Sequence, residues 1–254
     1  MKKLGLGILI AVTVLAISGV AVAISNQGVE KGRAPDLEKI EFIHWKKDFA
    51  KPEGVGKPPK APTCYKFLTG SKVKWIVPPA VSYVINPTNS GLKTSFVTAA
   101  ISTSAETWDA VVTSKDLFND EYNISTGAET AYGAQNYVNA ISFSDRYSDP
   151  DIIAATLIWY NPATKAIVEF DITFETDYLW GNAGVTNETE LGDTTVMDLQ
   201  NIATHELGHG IGLGDVYEDV CKPVTMYGYS TEGETKKRTL ETPDITGLQK
   251  LYGI

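Results

Sequence analysis

The chain has 254 residues, of which 43% are hydrophobic and 21% charged, and carries a formal net charge of −9. That length and balance suit one domain with a sizeable core and exclude wholesale disorder. An acidic chain offers no basic face, so no nucleic-acid partner is expected.

Met1-Lys2-Lys3 precedes an apolar run from Leu4 to Ile24 that ends near Ala21-Val22-Ala23. Residues 1–24 therefore read as a signal peptide cleaved after Ala23, or as a retained membrane anchor. Either places the remainder outside the cytoplasm, secreted or tethered to the cell surface. Membrane contact is expected only through this segment, and the rest as a monomer. Residues 25–63 are polar, with the Pro/Gly-rich stretch Lys51–Lys60 and an aromatic patch, Phe42-Ile43-His44-Trp45. They read as a polar linker or a short pro-segment lying on the domain, with the spacer favoured. The folded domain is expected over residues 64–254. In an oxidising compartment its two cysteines, Cys64 and Cys221, are expected to form one disulfide.

Val81–Ile85 alternates and is β-branched, so it reads as a strand. Asn86–Gly91 is a turn cluster. From Leu92 to Val112 apolar residues recur at helical spacing, with Phe96, Ala99, Ala100, Trp108 and Val111 on one stripe beside Thr103 and Thr107. Residues 137–143, 154–160 and 166–174 read as strands. In the last, Glu169, Asp171 and Thr173 alternate with apolar residues, which predicts a wet face. That strand is also expected to offer an edge to an extended substrate. A loop follows over residues 181–195, and calcium is a candidate cofactor for acidic loops such as Ser144–Asp151. A helix is expected from Asp198, its cap, to Leu213, ended by Gly212 and Gly214. A last helix starts near Pro243-Asp244 and runs to Leu251. This order makes an α+β layer arrangement.

The chemistry lies in His205-Glu206-Leu-Gly-His209-Gly-Ile-Gly212-Leu-Gly-Asp215. Positions i and i+4 share a helix face, so His205 and His209 can hold one zinc ion with Glu206 beside it as general base. A third ligand is needed. The chain has three histidines, and the third, His44, lies in the linker. A carboxylate must complete the set unless the linker folds back. Asp215 follows the turn that Gly212 permits. Glu218 and Asp219 are substitutes, as are Glu232, Glu234 and Glu241 if the site is of another type.

The segment resembles the metzincin motif H-E-x-x-H-x-x-G-x-x-H/D in its aspartate form, shared with snapalysin-like members. Val224-Thr-Met226-Tyr227 looks like the metzincin methionine turn. Within the clan, Asp198–His205 and Asp244–Gly253 are similar to the active-site and C-terminal helices of matrixins. The resemblance implies a metzincin-like (zincin) fold: a mixed, mostly parallel twisted sheet with an active-site helix, a methionine turn and a C-terminal helix. It also implies a zinc endopeptidase acting on protein or peptide substrates. A non-catalytic zinc- and peptide-binding envelope module is the alternative, against which Glu206 argues, since binding needs no base. Pro62-Thr-Cys64-Tyr does not match the matrixin cysteine switch, although a Cys64 thiolate on zinc stays open at this point. Tyr227 and Tyr229 either line the substrate pocket or pack within the turn.

Overall fold

The computed structural model describes residues 36–47, 63–76, 80–112, 116–184 and 193–253. All of these lie in one compact unit. The apolar segment 1–24 lies outside the described residues. Among the described residues, no helix is long and apolar enough to cross a membrane.

The main sheet has seven strands. In chain order these are β1 (Glu38–Lys46), β3 (Val84–Ile85), β4 (Asn123–Ile124), β5 (Ala140–Ser144), β6 (Ile152–Asn161), β7 (Ala166–Glu175) and β11 (Tyr229–Ser230). Short pairs, β2 (Lys66–Phe67) with β10 (Leu213–Gly214) and β8 (Trp180–Gly181) with β9 (Met197–Asp198), flank it. The spatial order is β11-β1-β6-β7-β5-β3-β4. Strands β7, β5, β3 and β4 run parallel, and β6 is antiparallel to β7. Three helices, α1 (Thr94–Asp109), α2 (Leu199–Gly210) and α3 (Thr242–Tyr252), complete the expected α+β arrangement.

Three expectations need correction. Nine residues of the 25–63 stretch form β1, paired along β6 from Glu38↔Tyr160 to His44↔Ala154. The cause is local: Ile40, Phe42 and His44 alternate with Lys39, Glu41 and Ile43, a period-two pattern inside a polar stretch. Second, β7 has no wet face. Glu169, Asp171 and Thr173 are buried. Loop backbone covers them: Glu169 accepts from the Asn136 and Tyr137 amides, and Asp171 from Gly133. Burial raises Asp171 to about 7. Nor is β7 an edge, because β6 and β5 pair with both of its sides. Third, the buried stripe of α1 is rotated from the expected one. It consists of Val97, Thr98, Ala100, Ile101, Ser104, Ala105 and Trp108. Ser104 is tolerated there because its hydroxyl bonds Ala100 O and Gln200 O, bringing α1 close to α2.

Cys64 and Cys221 form the expected disulfide. It ties the start of the domain to the loop before the methionine turn and removes Cys64 from the candidate metal ligands. The bridge closes a loop across 157 residues, for which the chain-entropy model gives about 5 kcal/mol. Replacing both cysteines by alanine should lower the unfolding free energy by an amount of that order and move the denaturant midpoint down accordingly. An unchanged midpoint in equilibrium unfolding would show that the bridge does not stabilise the fold.

Candidate active site

Helix α2 starts at Asp198, whose side chain accepts from the Asn201 amide at 2.8 Å and pairs with Arg238. The helix is buried along its length because it lies between α1 and the sheet. Trp108 Nε1 donates to Thr204 O at 2.8 Å, and Trp75 Nε1 to Gly210 O at 2.7 Å. The helix runs to Gly210, and the chain turns at Gly212, which has φ of +111°. A Cβ there would stand 2.5 Å from Val73 O, so the turn requires glycine. The turn carries the chain into β10 and returns Asp215 toward the histidines.

Each imidazole is oriented from behind. His205 Nδ1 lies 2.7 Å from Thr225 O, and His209 Nδ1 lies 2.9 Å from Leu213 O. A carbonyl oxygen only accepts, so each Nδ1 carries the proton and each Nε2 bears a lone pair. The two Nε2 atoms are 3.1 Å apart. Asp215 Oδ1 lies 3.2 Å from His205 Nε2 and 3.4 Å from His209 Nε2. It is buried and has no hydrogen-bond partner. Burial, then the Lys237 charge, lowers His205 to about 3, which keeps it neutral. Burial opposes ionisation of Asp215, but His209 and then His205 prevail and hold it well below its ordinary value. Burial opposes protonation of His209, but Asp215 and then Glu206 prevail and raise it above its ordinary value, so a proton among these three atoms belongs to His209, and a metal ion would replace it. Atoms held tetrahedrally at zinc's usual 2.0–2.1 Å stand about 3.3–3.4 Å apart. The donor set and spacing fit that ion.

The other carboxylates face elsewhere. Glu218 pairs with Lys66, Asp219 with Lys222 and Glu232 with Lys46. Glu234 pairs with Lys236, and Glu241 caps α3. In the loop expected to suit calcium, the amides of Arg146 and Tyr147 bond Glu175. Among the described residues, convergent metal-ligating groups occur only around His205.

Glu206 is fully buried. Thr156 Oγ1 on β6 donates to its Oε2 at 2.6 Å. Its Oε1 lies 3.0 Å from His44 Nδ1. Burial pushes the carboxyl up to about 7.

A family model described as Matrixin matches residues 74–253. The chain belongs to the matrixin family. "Metalloendoproteinase 1" of Glycine max is 36% identical over 81 residues, which is 32% of this chain and 25% of that protein. "Metalloendoproteinase 5-MMP" of Arabidopsis thaliana is 37% identical over 79 residues, 30% of this chain and 20% of the relative. "Metalloendoproteinase 1-MMP" of the same plant is 42% identical over 57 residues, 22% of this chain and 15% of the relative. The matched region thus spans a quarter or less of each of these relatives.

In this matrixin the methionine turn lies directly under α2. Met226 is fully buried, and its amide and that of Thr225 both donate to Asp244 at the start of α3. Tyr227 and Tyr229 pack in a row with Tyr217, rings 5.6 and 5.2 Å apart. The tyrosine that reaches the site is Tyr217, whose hydroxyl donates to Asp215 Oδ2 at 2.9 Å. Neither Tyr217 nor Thr156 carries a local signal that marks it in the sequence. His44 carried one, the alternation around it.

A Cβ at Gly208 would overlap Met226 Sδ and stand 2.7 Å from Trp108 Cζ2. Gly208→Ala should therefore cost about 1–3 kcal/mol by overpacking. Thermal unfolding reads this directly, and wild-type stability in the variant would show that α2 does not press on the methionine turn.

Proposed function

We propose that the chain is a zinc endopeptidase in which His205, His209 and Asp215 hold the metal and Glu206 is the general base. The convergence of three buried acceptors around one point carries this reading. When bound there, zinc supplies Lewis-acid polarisation of the scissile carbonyl and makes a water more acidic.

Glu206 moves the proton. Its carboxyl sits at the dry end of the site with a pKa near 7, so near neutrality it can accept a proton and return it to the leaving amine. Thr156 fixes Oε2, so the oxygen that would act is Oε1, which His44 Nδ1 meets in this structure. Tyr217 holds Asp215 Oδ2, which keeps Oδ1 turned to the imidazoles. The substrate would be an extended peptide lying along β6, on the side where β1 is paired in this structure. The charged and apolar start of the chain and its disulfide support work on extracellular proteins, from a secreted or surface-tethered enzyme.

Two substitutions separate binding from chemistry. Glu206→Ala should retain one zinc per chain and lose activity on an unfolded protein by at least about 10²-fold, the scale of a lost acid–base group. Near-normal turnover in this variant would rule out the role given to Glu206. If the wild-type, zinc-loaded protein binds such peptides without cleaving them, the binding-module alternative is correct. Asp215→Ala reduces three protein ligands to two and should lose zinc during dialysis against a chelator that the wild type withstands. A folded Asp215→Ala protein with wild-type zinc affinity would remove Asp215 from the ligand set.

A further inference from the structure

Among the described residues the buried apolar side chains fall into two clusters. The main one draws on the sheet and all three helices. The second is small: Val216, Cys221, Val224 and Tyr227, with Cys64 and Tyr229 packed against it. Asp215 stands at the junction, next to Val216 in the chain. The place of this carboxylate therefore depends on how the small cluster is held.

A short segment that precedes the family match holds it. That match begins at residue 74. In β2, Phe67 pairs with Leu213 and Lys66 with Gly214, and the Leu68 amide donates to Gly212 O at 3.2 Å. These contacts fix the arm that enters Asp215, together with the Leu213 carbonyl that orients His209. Cys64 then crosses to the arm that leaves Asp215, where its partner Cys221 ends the single turn Asp219–Cys221. The Cys221 amide donates to Glu218 O at 2.7 Å, and Lys66 Nζ lies 3.2 Å from Glu218 Oε1. Beyond the bridge, the Val224 amide donates to Cys221 O at 3.1 Å, and the Val216 amide to Met226 O at 2.9 Å. Cys64 itself has φ of +52°, a left-handed conformation that a non-glycine residue keeps only where its surroundings impose it. Both arms of Asp215 thus run to residues 64–68.

We propose that Cys64 and Cys221 are positioning residues for the third metal ligand, and that the site holds zinc tightly only after their disulfide has formed. The proposal rests on the zinc reading of the site. The bridge acts through residues 216–220 and keeps Asp215 Oδ1 beside the two imidazoles. A ligand free to swing away binds less tightly, because its ordering then falls to the binding step. Bridge formation joins the two sulfurs and passes two electrons and two protons to an external disulfide, which leaves as two thiols. In a reducing compartment the chain binds the metal weakly, and in an oxidising one it binds it well. Oxidation and metal loading are coupled.

The test uses the full chain and two metals. Zinc affinity is measured by competition with a chelator. The visible bands of the cobalt(II)-substituted protein report the ligand geometry. Cys64→Ser with Cys221→Ser stands for the reduced chain and leaves no thiolate to bind metal. A second variant keeps the bridge and inserts three glycines after Val220, an exposed residue. The insertion slackens the link from Cys221 to Asp215 at little cost to folding, and it covers the case in which the serine variant does not fold. Circular dichroism identifies the folded variants. We expect each of them to bind zinc about 10- to 100-fold more weakly, the range for residues that orient a metal ligand, and to show altered cobalt bands. Wild-type zinc affinity and cobalt bands in the folded glycine variant would overturn the proposal even if the serine variant lost metal, because the bridge would then act on overall stability alone. That result would leave the zinc site intact. A wild-type, oxidised chain that binds neither ion would remove the zinc reading and this proposal with it.

Discussion

Three lone pairs meeting in a dry pocket set the terms for the rest of this domain. His205 Nε2, His209 Nε2 and Asp215 Oδ1 repel one another unless a proton or a metal cation lies between them. The fold nevertheless holds them together from several directions. Thr225 O fixes His205, and Thr225 is itself fixed by Asp244, so α2, the methionine turn and α3 form one connected support. Leu213 O fixes His209 from the strand that the Gly212 turn makes possible. Metal bound there, as proposed, would be linked to folding, because the ion would relieve a repulsion that the native state imposes.

Much of this was legible in the sequence because it is local. The i, i+4 histidines, the Asp198 cap, the glycine that ends α2 and the Asp244 start of α3 each follow from spacing within one helix or turn. The strands 154–160 and 166–174 were legible from β-branched and aromatic runs. Burial of Glu169 and Asp171 was not, because it depends on loop amides from residues 133–137 that reach across the sheet. The same holds for Thr156 and Tyr217, whose roles arise from contacts made only after β6 and α2 pack. Strand β1 is the instructive case. Its alternation was present, but the Lys, Gly and Pro around it gave the whole stretch the composition of a spacer.

The interior beside the site is polar. Glu206, His44, Ser230 and Lys237 are all buried beside it. Lys237 Nζ donates to Tyr227 O, and burial lowers that ammonium to about 7. A buried cation with few partners is costly, and its nearness to Glu234, then to Asp215 and Glu206, offsets part of that cost. The residues that bind and those that support therefore share one electrostatic neighbourhood, and a change at one alters the others.

The most direct measurement is anomalous diffraction at the zinc edge from crystals grown with one equivalent of the metal. The account predicts one strong peak within about 2.0–2.2 Å of His205 Nε2, His209 Nε2 and Asp215 Oδ1. A peak bound by Glu218, Asp219 or another distant acid, with Asp215 turned away, would contradict it, as would a crystal in which these three atoms face each other and hold no ion.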